Sequence, residues 1–153
     1  MDHAKSRQIA IDYTGIDLIP EMIDHASTNH PDARFTVGDI FTLTESQSFD
    51  YAVCNGILTL KLETSILDMD QFARRLIRQM FSIVRRGMAF NMMSSRVNFM
   101  APHLSYKNPL EMIAFCSMEL SRRFRLDHAY PRYEYTVYVY RDDEKPAAAG
   151  PAE

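Results

Sequence analysis

Apolar and polar positions fall into two rhythms along this chain, one suited to strands and one to helices. Tyr13 to Leu18 and Arg34 to Val37 are short runs carrying aromatic and β-branched residues, and each predicts a strand. Between them Pro20 fits the first turn of a helix, where its missing N–H is harmless. Met22, Ile23 and Ala26 share one face of that helix before Asn29–His30–Pro31–Asp32 breaks it. Phe49 to Asn55 predicts a third strand, and Ala52–Val53–Cys54 is apolar enough to place it inside a sheet. From Asp68 to Val84 the residues Met69, Phe72, Leu76, Met80 and Val84 recur at helical spacing with arginines between them. Gly87 supplies a stop, and Met88 to Met93 predicts a fourth buried strand.

A polar connection, Ser94 to Asn108, holds Pro102, His103 and Tyr106. Asn108 then caps a further helix, with Pro109 in its first turn and Glu111 three residues after the cap. This helix extends to about Ser121 and is expected to bury Leu110, Ile113, Cys116 and Leu120. Arg123–Ala129 and Tyr133–Arg141 predict an antiparallel pair joined at Tyr130–Pro131–Arg132, with Tyr135, Val137 and Val139 on one face. Asp2 to Ala10 is weakly helical, and the Pro, Ala and charge of residues 142–153 predict a disordered tail. Strand and helix alternate up to the final pair, which predicts one α/β domain over residues 1–141. Its sheet is mostly parallel, with an antiparallel C-terminal strand pair.

Composition narrows the function. The net charge of −3 gives no concentrated positive surface for phosphate, so no nucleic-acid partner is expected. No apolar run reaches the roughly 20 residues of a membrane span, and residues 1–11 lack a signal-peptide core, so the default location is cytoplasmic. Cys54 and Cys116 sit in separate apolar runs and read as small buried hydrophobes. His25, His30 and His128 show no metal-ligand spacing. Arg74, Arg75, Arg78, Arg85 and Arg86 read as the solvated face of one helix.

Three segments carry candidate chemistry. In Tyr13–Thr14–Gly15–Ile16–Asp17–Leu18 an acid ends a strand, where ligands bind in open α/β sheets. Asp17 there can accept hydrogen bonds from both hydroxyls of a ribose. Nicotinamide-binding domains place an acid in the same position, and a helix-capping role fits as well. In Phe35–Thr36–Val37–Gly38–Asp39–Ile40 a second strand ends in an acid followed by an apolar residue, suited to an amino group and a ring face, or simply to a turn. The third segment, Phe49 to Leu58, opens from a strand into a loop at Asn55–Gly56.

In this order the segments resemble class I S-adenosylmethionine-dependent methyltransferases, over roughly residues 8–141. Arg86–Gly87–Met88–Ala89–Phe90–Asn91 looks like that family's fifth strand, and the C-terminal pair looks like its reversed sixth and seventh strands. The resemblance implies a Rossmann-like sheet and S-adenosylmethionine as cofactor. Asp17 would bind its ribose and Asp39 its adenine amino group, with Leu18 and Ile40 beside the adenine. Asn55 and Gly56 match the loop after the fourth strand. His103 and Tyr106 fall in the loop where this fold often builds its acceptor pocket, and either could act as a base or positioning group, or lie plainly on the surface.

The family's first strand and its glycine-rich turn have no counterpart, since none of the five glycines precedes Gly15. That strand lies mid-sheet in the family, so its loss should be met by closing the second strand directly onto the fourth, or by a strand from a second copy or another partner. The expected function is therefore that of a methyltransferase-family protein directed at a small molecule, inactive or impaired in this shortened form, with no catalytic residue assignable. A non-enzymatic interaction or scaffold module keeping the same fold is the other reading.

Overall fold

The computed structural model describes residues 4, 6–44 and 48–142. The chain divides into two compact units, Met1–Leu43 and Thr44–Glu153.

The first unit contains strand β1 (Thr14–Asp17), helix α1 (Pro20–Asn29), strand β2 (Arg34–Val37) and a single 3-10 turn (Ile40–Thr42). Pro20 begins α1 and Ile23 is its buried residue. The two strands are parallel, with Thr14 opposite Arg34 and Asp17 opposite Val37. Parallel partners need a crossover, and α1 provides it. The Tyr13 and Phe35 rings lie 5.8 Å apart. Of the helix expected over Asp2–Ala10, residues 2, 3 and 5 lie outside the described residues. The rest makes one turn, in which the Arg7 and Ile9 amides donate to the Ala4 carbonyl.

The second unit is built from β3 (Phe49–Cys54), α2 (Ile66–Ser82), β4 (Val84–Ser94), β5 (Tyr106–Lys107), α3 (Pro109–Glu119), β6 (Arg123–Asp127) and β7 (Glu134–Tyr140). Its sheet runs β3-β4-β7-β6, with β5 beside the end of β4. β3 and β5 are parallel to β4, whereas β7 is antiparallel to both β4 and β6. The closing antiparallel pair is the one expected from sequence. Phe90 and Met92 from β4 join Tyr135, Val137 and Val139 from β7 in the core, with Leu76, Ile77 and Met80 of α2 also buried. Gly87 permits the β4–β7 contact, because a Cβ there would lie 2.7 Å from the Val139 carbonyl oxygen. Arg78 of α2 pairs with Glu119 of α3 at 2.6 Å, and both Arg74 and Arg78 lie over the Phe115 ring.

Several expectations need correction. α2 starts earlier and stops at Ser82, so Val84 belongs to β4; Met69, Leu76 and Met80 are buried as expected and are joined by Ala73, Ile77 and Phe81, whereas Phe72 is 36% exposed. Arg85 and Arg86 lie on β4 and reach Asp50, so the five arginines do not share one helix. On α3 Cys116 is buried as expected, but its buried companions are Pro109, Met112 and Phe115; Ile113 and Leu120 are half-buried and Leu110 is 70% exposed. β3 is not an interior strand: it pairs only with β4 among the described residues, and Val53 is 78% exposed. Among the described residues, Thr14–Asp17 and Phe49–Cys54 are assigned to different sheets. The tail expected to be disordered lies, from residue 143 on, outside the described residues.

Candidate functional site

Asp17 closes β1 and Asp39 lies two residues beyond β2, so the two carboxylates stand at the C-terminal tips of neighbouring parallel strands. The Gly38 amide donates to the Asp17 carbonyl at 2.9 Å, which carries the pairing one step beyond β2. Each acid also shapes its own turn. Oδ1 of Asp17 accepts the Ile19 amide at 2.9 Å, and Oδ1 of Asp39 accepts the Phe41 amide at 2.9 Å. One oxygen of each carboxylate is therefore committed locally and the other can accept from a ligand. Leu18, 68% exposed, and Ile40, half-buried, follow the two acids and supply apolar surface beside them. All four residues lie at the C-terminal end of the β1–β2 pair.

In the second unit the loop after β3 is held by residues that sequence reasoning passed over. The Gly56 amide donates to Oδ1 of Asn91 at 2.8 Å, and Nδ2 of Asn91 donates to Oε2 of Glu134 at 2.6 Å. Gly56 itself has φ +88°, a left-handed conformation that glycine adopts without strain. Asn55 beside it is exposed. Asn91 is a polar residue in an otherwise apolar strand run, and that interruption was the available signal. The Glu134 partnership is set by sheet register and leaves no local mark.

The same loop is stitched to the segment following β4. Leu60 and Leu104 form an isolated bridge, the Ser105 amide donates to the Thr59 carbonyl at 2.9 Å, and the Lys61 and Leu62 amides both donate to the His103 carbonyl. His103 thus contributes its backbone, with its side chain exposed. The Tyr106 hydroxyl accepts the Ala101 amide at 3.1 Å. Neither buried thiol is poised for nucleophilic work. Burial pushes Cys54 up to about 11, against a smaller opposing effect from a hydrogen bond with the Ile57 backbone, and burial pushes Cys116 up to about 12.

A parallel strand pair with acids at its tips in one unit, and a mostly parallel sheet with a reversed last strand in the other, are the parts of a class I methyltransferase fold. Solved structures share it. Magnesium protoporphyrin IX methyltransferase from Synechocystis PCC 6803, with bound SAM, superimposes with a TM-score of 0.61 at 13% identity, covering 89% of this chain and 62% of that one. DhpI in complex with SAH gives a TM-score of 0.63 at 17% identity, over 90% of this chain and 70% of that one. This chain thus spans less than two thirds of the Synechocystis enzyme. Rv1506c of Mycobacterium tuberculosis, a protein named as a putative methyltransferase, is 28% identical over 141 residues, which is 91% of this chain and 84% of that protein. The sequence profile of the methyltransferase domain family matches residues 4–130, and the chain belongs to that family.

Proposed function

We propose that this chain takes part in S-adenosylmethionine-dependent methyl transfer to a small molecule, and that its first unit holds the nucleoside end of the cofactor. The observation that carries the reading is the pair of carboxylates at adjacent strand tips, each with one oxygen left to accept. A ribose offers two hydroxyl donors and an adenine one amino donor, which matches that acceptor set. Asp17 accepts from the ribose and Asp39 from the adenine, with Leu18 and Ile40 against the ring. Two structural neighbours contain SAM or SAH, which supports the same cofactor here.

When bound, S-adenosylmethionine supplies an electrophilic methyl group on a sulfonium, which passes to an acceptor lone pair while the S–C electron pair stays on sulfur. The chain's contribution is positioning. Asn91 and Glu134 fix the Asn55–Gly56 loop, which the family pattern assigns to the reacting end of the cofactor.

A second reading is a scaffold that retains the fold and docks a strand from a second copy or another chain. β1 and β3 each have one edge with no strand partner among the described residues, and such edges invite pairing. Calorimetric titration with S-adenosylmethionine separates the two. Saturable binding in the micromolar to submillimolar range supports the cofactor reading. No detectable heat, together with a dimer by light scattering, would favour the scaffold.

A further inference from the structure

The second unit contains a cavity of about 230 Å³ lined by Met93, Val97, Phe99, Leu104, Tyr106 and Tyr133 among others. We infer that it binds a neutral, single-ring aromatic molecule, and that this is the chemical class of the acceptor. The assignment of an acceptor role rests on the reading above; the binding itself does not.

Size, lining and place each point the same way. A cavity of roughly 150 Å³ holds benzene, so this one admits a ring and a substituent of a few atoms. Three aromatic side chains and a methionine offer ring faces and a polarisable sulfur, which favour an aromatic guest over an aliphatic one. Among the described residues no charged side chain lines the space, so a carboxylate or ammonium would be desolvated without compensation. Phe99, 76% exposed, stands at the mouth.

Position ties the cavity to the strand ends. Met93 is the penultimate residue of β4, and ligands of open α/β sheets collect outside the carboxyl ends of strands. The wall formed by Ala101–Tyr106 is hydrogen-bonded to the loop that follows β3 through Ser105 and Thr59.

The test is a titration of the whole chain, without cofactor, with 4-methylphenol, toluene and 4-methylbenzoate, followed by the methyl signals of ¹³C-labelled methionines. Saturable binding of 4-methylphenol should shift Met93 and leave Met80, buried on α2, unmoved. The benzoate should bind at least tenfold more weakly. Val97→Phe and Leu104→Phe, each checked for a native unfolding transition, should weaken 4-methylphenol tenfold or more. Absence of a saturable Met93 shift overturns the inference, as does benzoate binding equal to that of the phenol, or indifference to both filling variants when folded. A separate S-adenosylmethionine titration keeps the two proposals apart, since the ring can bind where the cofactor does not, and the reverse.

Discussion

Asn91 joins Gly56 to Glu134, residues that stand 35 and 43 positions away in sequence. Removing its side chain leaves a part-buried amide without its acceptor and a carboxylate without its donor. Asn91→Ala should therefore cost about 1–3 kcal/mol in urea unfolding, and amide shifts should move through Asn55–Leu58. A change below about 0.5 kcal/mol, the low end for one hydrogen bond, would remove the positioning role. Asp70 makes a second residue-scale prediction. Burial alone would raise its carboxyl, but Lys107 and Arg74 more than offset that and hold it below the usual carboxylate range. A folded pKa lower than the unfolded one adds stability at pH above the unfolded value, and that increment fades as acid titrates the folded carboxylate. Wild type should thus exceed Asp70→Asn in melting temperature at pH 7, with the gap closing below about pH 4. A gap that does not narrow as the pH falls below the usual carboxylate range would contradict this. The acids at the strand tips could be read from sequence because Asp17 and Asp39 mark local strand ends. Asn91 and Glu134 could not, because only sheet register brings them together.

β4 is the element on which the second unit depends, paired to β3 on one side and β7 on the other. The close approach of β7 at Gly87 leaves no room for a methyl group, so Gly87→Ala should destabilise by about 1–3 kcal/mol through overpacking. Chemical denaturation measures it, and a neutral result would mean that β7 can shift freely. Element order followed from periodicity, including the closing antiparallel pair. Helix faces followed less well. α3 reads Pro–Leu–Glu–Met–Ile–Ala–Phe–Cys and is apolar nearly all round, so spacing could not choose between Leu110 and Met112 as the buried residue. For α2 the cap carried the missing signal: Ser65 accepts the Asp68 amide at 3.1 Å and donates to its carboxylate at 2.6 Å, a start ahead of the one periodicity suggests. The length of β4 was hidden by Arg85 and Arg86, whose charge masks a strand whose side chains there face solvent.

Across the whole molecule the two units differ in how much they bury. Among described residues, Ile23 is the buried hydrophobic side chain of the first, whereas the second buries continuous runs from α2, β4 and β7. Local opening costs least where few apolar contacts are broken. Amide hydrogen exchange should accordingly be faster by at least tenfold across β1 and β2 than across β4 and β7, and equal protection would show one cooperative body. Family membership was legible from three short segments in the right order, because strand-tip chemistry is written locally. The separation into two sheets was not, since pairing between distant strands depends on what fills the space between them.

The account stands on Asp17 and Asp39 as the grip on a nucleoside. Titration of ¹⁵N-labelled protein with S-adenosylhomocysteine tests this directly, because the ligand shares the nucleoside and cannot turn over. Amide shifts concentrated at Leu18, Ile19, Asp39, Ile40 and Phe41, and abolished in Asp17→Ala, are the predicted result. Saturable shifts elsewhere with those five amides unmoved, or no shifts at millimolar ligand, would contradict it.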